Sequence, residues 1–185
     1  MDIKTIAITV IAGTALLAGC ETTSSRPYKA STDNILAFQD ALQESGKTVK
    51  IGNFSASEGV DTSPTCRMMG ALEVSPGKSP VEFIESALKE ELFEAGVYDN
   101  ASSNAINGNI KEMKFNSFGT GKWTINMNVS SANMPNGYDV STEYSFKTSY
   151  SAIKACQNVV DAFTPAVQDL LSKVVASPDF VKLTK

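Results

Sequence analysis

Two segments of the chain alternate strictly between apolar and polar residues, and together they define a sheet. From Lys122 to Ala132, Trp123, Ile125, Met127 and Val129 fall in one phase, with Thr124, Asn126, Asn128 and Ser130 in the other. From Tyr138 to Tyr150, the set Tyr138, Val140, Tyr144, Phe146 and Tyr150 opposes Asp139, Ser141, Glu143, Lys147 and Ser149. Successive side chains of a strand point to opposite faces, so this pattern predicts one buried face and one wet face. A third strand, Ala105 to Phe118, changes phase midway: Ile106 and Ile110 belong to one set, Met113 and Phe115 to the other. Such a change predicts a bulge near Lys111 or Glu112. Gly119-Thr120-Gly121 and Pro135-Asn136-Gly137 supply tight turns, which makes the three strands a meander.

Apolar residues elsewhere recur with the helical period. Ile35, Leu36, Phe38, Ala41 and Leu42 follow a cap at Ser31 or Thr32 and stop at Gly46. Thr48 to Ser55 reads as a short strand through Val49, Ile51 and Phe54, and residues 56–77 read as irregular. The clearest helix runs from Pro80 to Ala95, because Ser79 and Glu82 form a capping box, Pro80 opens it and Gly96 closes it. Its apolar face is Phe83, Ile84, Ala87, Leu88 and Leu92, with Glu85, Lys89, Glu90 and Glu94 opposite. The chain closes in helix, Ile153 to Phe163 and then Thr164 to Val175, with Thr164 as cap and Ser177-Pro178 as stop. Val167, Leu170, Leu171, Val174 and Val175 are predicted to pack on the sheet. The expected fold is an α+β two-layer sandwich, a mainly antiparallel sheet with helices on one face, forming a single domain over residues 31–185.

Charge and chemistry narrow the function classes. The net charge is −4, with no histidine and no run of lysine or arginine, so a nucleic acid has no basic surface to meet. Serine and cysteine nucleophiles usually recruit a histidine base, which this chain lacks. Glu82, Glu85 and Glu90 read as a solvated helix face, not a metal site. Gly119-Thr120-Gly121-Lys122 superficially suggests a phosphate loop, but Asn116 and Trp123 stand where that motif needs a glycine and a hydroxyl residue. Trp123, Tyr138, Tyr144 and Tyr150 alternate with polar residues and read as core, not as a ligand platform. No catalytic residue, cofactor or metal ligand is expected.

The amino terminus carries a short charged region with Lys4 and an apolar stretch from Ile6 to Leu17, too short to span a bilayer, which needs roughly 20 apolar residues. It ends in Leu17-Ala18-Gly19-Cys20, which resembles the lipobox of bacterial lipoproteins. That resemblance implies cleavage between Gly19 and Cys20, loss of residues 1–19 as a signal peptide, and acyl chains on Cys20 that hold the protein on a membrane. Glu21 stands where an aspartate tends to retain such proteins in the inner membrane, so the resemblance implies the periplasmic face of the outer membrane. Residues 20–30, with Thr22, Thr23, Ser24, Ser25 and Pro27, read as a flexible tether. With Cys20 acylated, two of the three cysteines remain, Cys66 and Cys156, in a chain exported to an oxidising compartment. One disulfide between them is expected, the alternative being two buried free thiols.

The element order is similar to that of small periplasmic lipoproteins, among them the YajG type, the lipopolysaccharide-assembly lipoprotein and the activators of penicillin-binding proteins. This likeness implies a non-enzymatic binding or scaffolding role with an envelope protein or complex as partner. The alternative is carriage of a small amphiphile or lipid between helices and sheet.

Overall fold

The computed structural model describes residues 22–23, 27–43 and 46–184. Gly19, Cys20 and the segment expected to be a signal peptide lie outside the described residues. The elements in chain order are β1 (Thr22–Thr23), α1 (Thr32–Gln43), β2 (Lys50–Ala56), β3 (Leu72–Glu73), α2 (Pro80–Glu94), β4 (Ala105–Asn116), β5 (Thr120–Ser130), β6 (Tyr138–Lys147), α3 (Ala152–Asp161) and α4 (Phe163–Ala176), followed by a 3-10 turn at Phe180–Thr184.

Four strands form the main sheet in the order β2-β4-β5-β6, with β4, β5 and β6 antiparallel and β2 parallel to β4. Parallel neighbours need a crossover, and α2 supplies it. The α+β sandwich expected from the pattern is the fold observed. The bulge is where the phase change put it, between Ile110 and Glu112. Trp123, Ile125, Met127 and Val129 of β5 are all buried against the helices, as their alternation requires. Gly108 and Gly121 also lie in the buried phase, and a neighbouring ring covers each: a Cβ would fall 2.4 Å from the Phe54 ring at Gly108 and 2.3 Å from the Phe146 ring at Gly121. α2 begins at the capping box, with Ser79 Oγ accepting from the Glu82 amide at 3.2 Å and the Glu82 carboxylate accepting from the Ser79 amide at 2.7 Å.

The helices bury their stripes over one sheet face. Trp123 is central, its ring 4.9 Å from Phe163 and 5.1 Å from Phe115, and its indole N–H donates to the Val159 carbonyl at 2.8 Å. The Tyr138 hydroxyl donates to the Val174 carbonyl at 2.8 Å, which ties the far end of β6 to α4.

Three expectations change. β6 ends at Lys147, which is paired with Thr120 at the last rung of the ladder. Tyr150 lies beyond that rung and is fully exposed, so it does not belong to the core set; Thr142, fully buried, does. α4 starts from Ala162, and Thr164 lies inside it instead of capping it. Beyond Pro178, the 3-10 turn inserts Phe180 and Leu183 into the core, a contribution that a single turn is too short to reveal as a periodic pattern.

Candidate functional site

Two regions outside the apolar core carry polar or exposed groups held in a specific arrangement. The first is organised by Cys66 and Cys156. They are disulfide-bonded, with Cα atoms 5.8 Å apart and 90 residues of separation, and both are buried. Cys66 sits in a tight hairpin: the Leu72 amide donates to Pro64, Thr65 bridges Ala71, the Cys66 amide donates to Gly70, and the Met69 amide returns to the Cys66 carbonyl at 2.8 Å. The tip is strained, since Arg67 (φ 46°) and Met68 (φ 58°) both occupy the left-handed region that side chains disfavour, at about 1 kcal/mol or more each.

Arg67 holds that tip against two other loops. Its Nε donates to Ser117 Oγ at 3.1 Å, Nη1 to the carbonyls of Ser149 (3.1 Å) and Tyr150 (3.4 Å), and Nη2 to the Ser117 carbonyl. Its guanidinium lies 4.2 Å above the Phe118 ring. Carbonyls, the Ser117 hydroxyl and a ring satisfy it, and Asp61 lines the adjoining hollow. An open hollow of about 310 Å³ is lined by Arg67, Phe118, Gly119, Thr148, Ser149 and Tyr150. Around it stand large apolar side chains the fold leaves uncovered: Met68 is 96% exposed, Tyr150 106%, Phe118 66% and Ile153 68%. No sequence pattern marks these as surface groups, and the alternation places Tyr150 with the core set.

The same region includes the start of the described chain. β1 pairs in parallel with β3, Thr22 beside Leu72 and Thr23 beside Glu73, and β1 also packs against α3.

The second region is a buried carboxylate. Glu91 of α2 is fully buried, and its Oε1 accepts from the Tyr28 hydroxyl at 2.5 Å, the Ser31 amide at 3.0 Å and Asn34 Nδ2 at 3.3 Å. Asn34 Nδ2 also donates to the Gln168 carbonyl at 2.9 Å, and Gln168 Nε2 donates to the Lys29 carbonyl at 2.8 Å. Glu91 Oε2 is buried and meets no hydrogen-bond partner among the described residues. Burial, then the bond to Glu91, pushes the Tyr28 hydroxyl far above its ordinary pKa. The Tyr28 ring also meets Phe83 edge-on at 5.7 Å. Tyr28 and Lys29, assigned to a tether by their composition, are thus docked where α1, α2 and α4 meet. Glu91 was not among the acids considered from the sequence, yet a signal was there: it stands three, four and seven residues after Leu88, Ala87 and Ile84, on the apolar stripe.

The remaining sequence candidates are structural or dispersed. Gly119 lies in the β4–β5 turn and Thr120-Gly121-Lys122 open β5, with Lys122 paired to Glu143 at 2.8 Å on the uncovered sheet face. Glu82 serves the helix cap, and no group of three or more acids or cysteines among the described residues is placed to hold a metal.

No family model matches this chain, and no curated protein matches it. Among solved structures, it is similar to a Xanthomonas campestris protein of the DUF330 family, with 10% identity, a TM-score of 0.48, and 70% of this chain and 84% of that one covered.

Proposed function

We propose that this chain is an envelope lipoprotein, held by acyl chains on Cys20 at the periplasmic face of the outer membrane, whose domain is a non-enzymatic binding or scaffolding component. The observation that carries the reading is the Cys66–Cys156 disulfide. It joins Cys66 and Cys156 and so leaves Cys20 outside that pair, and it suits export to an oxidising compartment.

The amphiphile-carrier alternative needs room between helices and sheet. That space is taken up by Trp123, Phe163, Ile125, Met127, Leu170 and Leu171, all essentially inaccessible to solvent. A lipid would have to displace side chains packed at the density of an organic crystal.

The test starts with fractionation and mass spectrometry of the native chain. The amino-terminal peptide is expected to begin at Cys20 and carry acyl mass, and Cys20→Ser is expected to leave the membrane fraction. A Cys20→Ser chain that stays with the membrane overturns the anchoring. Photo-crosslinking in cells from Ser141, on the uncovered sheet face, is expected to give a discrete protein adduct. Lipid adducts alone would favour the carrier.

A further inference from the structure

We propose that the exposed apolar rim around Arg67, formed by Met68, Tyr150, Phe118 and Ile153, is the face of the domain that lies in the headgroup layer of the bilayer carrying Cys20. The inference rests on the lipidation reading above and adds an orientation and a second, non-covalent membrane contact to it.

The first argument is reach. Thr22 is fixed to the domain through its pairing with Leu72, and Cys20 precedes it by two residues. A chain spans at most about 3.6 Å per residue, so an acylated Cys20 lies within roughly 7 Å of Thr22. The docked β1 therefore leaves no tether long enough to lift the domain off the surface. A gap of that size is thinner than a single helix, whose diameter is about 10 Å, so no protein layer fits between.

The second argument is direction. β1 runs parallel to β3, so the amino-terminal end of β1 lies beside the end of β3 that Gly70 and Ala71 lead into. That is the end from which the hairpin tip projects: Met68 precedes Leu72 by four residues, roughly 13 Å in extended chain. The end of β1 that leads to Cys20 and the tip are thus at one end of the small sheet. The other apolar groups are fastened to the same tip. Tyr150 is held through its carbonyl by Arg67, Phe118 by the overlying guanidinium, and Ile153 lies three residues before Cys156, the disulfide partner of Cys66.

The third argument is composition. Methionine, tyrosine, phenylalanine and isoleucine project from a rigid, disulfide-held platform, with exposed Lys154 beside Ile153. Aromatic rings and apolar groups bordered by cations are what the bilayer interface accommodates. The opposite end of the sheet, the β5–β6 turn with Ala132, Asn133, Pro135 and Asn136 exposed, has no such set, and the 11 residues of β5 place it roughly 35 Å away.

The experiment uses the full-length acylated protein in phosphatidylethanolamine–phosphatidylglycerol vesicles with brominated acyl chains. Tryptophan is introduced as Met68→Trp, as Tyr150→Trp, and as Asn136→Trp at the far turn; Trp123 is buried and gives a constant background. Quenching at least threefold stronger for Met68→Trp and Tyr150→Trp than for Asn136→Trp is expected. Tyr150→Trp serves if the strained position 68 does not accept tryptophan. Equal quenching at all three sites, with acyl mass on Cys20 and the protein on the vesicles, overturns this inference and leaves the anchoring intact. Absence of acyl mass on Cys20 overturns both. Benzoylphenylalanine at position 68 in cells is expected to capture lipid; capture of a protein overturns the membrane assignment.

Discussion

The domain fastens its irregular segments in two chemically different ways. At the hairpin end, the Cys66–Cys156 disulfide pins the stretch between β2 and α2, which has little regular structure beyond β3. At the junction of α1, α2 and α4, one buried carboxylate, Glu91, pins the residues leading into α1 through Tyr28 and Ser31. A crosslink acts largely by restricting the unfolded chain, and so it works wherever the two cysteines meet. A buried carboxylate acts only in the folded state, and only while donors surround it, because an ion removed from water without partners is strongly destabilising. The first fastener tolerates change around it, whereas the second depends on every neighbour.

The largest expected effect separates the two. Cys66→Ser with Cys156→Ser opens a loop of 90 residues and is expected to lower stability by roughly 4 kcal/mol, read as a fall in the urea midpoint that reductant reproduces in the native chain. The next tests the carboxylate. Glu91→Ala strands the Tyr28 hydroxyl and the Ser31 amide in the interior and is expected to cost about 3 kcal/mol, with faster hydrogen exchange at Ser31. Glu91→Gln keeps an accepting oxygen and is expected to recover most of that loss. If alanine and glutamine were equally harmful, the negative charge and not the acceptor would be what holds the segment.

The two fasteners also differ in how far the sequence revealed them. Cysteine parity points to the disulfide once Cys20 is set aside as the expected acylation site, and the structure joins that pair. The β5 face could be assigned residue by residue, since alternation over a strand with one buried side leaves no other register. Glu91 escapes because it stands in an acidic run, Glu90-Glu91, on a helix whose other acids are exposed or half-buried, and periodicity ranks residue types before it asks which phase they occupy. Tyr150 was misplaced for the opposite reason: its phase was right, but the ladder that gives phase a meaning ends at Lys147. The exposure of Met68 and Phe118 follows from which loops Arg67 draws together, and no local pattern encodes that.

A smaller effect probes the donor side of the carboxylate. The Tyr28 hydroxyl has its folded pKa raised above the ordinary value of 10.0, by burial first and then by Glu91. A group that binds its proton more tightly when folded contributes stability that is complete below its unfolded pKa and declines as pH rises towards the folded one. Stability is therefore expected to fall between about pH 10 and 12, and Tyr28→Phe, at about 1 kcal/mol near neutrality, is expected to make that fall shallower. Tyr138, also buried and raised, keeps part of the slope in the variant. Urea midpoints at pH 8 and 11 for both chains measure the difference, and identical slopes would remove Tyr28 from the account.

The smallest effect lies on the uncovered sheet face, where Lys111 and Asp139 pair at 2.8 Å with both side chains largely in solvent. The Asp139 carboxyl is held below its ordinary range by Lys111 first and then by Asn128, which donates to it at 2.7 Å. A carboxyl lowered in this way contributes stability above its unfolded pKa of 3.8 and loses it as pH falls through the folded value, so any contribution is complete at neutrality. Exposed pairs are nonetheless worth about 0.5 kcal/mol or less, and salt screens them. Lys111→Ala is expected to leave the urea midpoint within that limit while moving the Asp139 titration, followed by carboxyl NMR, upward; the Asn128 bond keeps it short of the ordinary value. A pair that shifts a titration without shifting stability reports local electrostatics and fastens nothing. Should Lys111→Ala instead cost as much as Glu91→Ala, the contrast between buried and exposed carboxylates would fail, and the uncovered face would have to be counted among the elements that hold the fold.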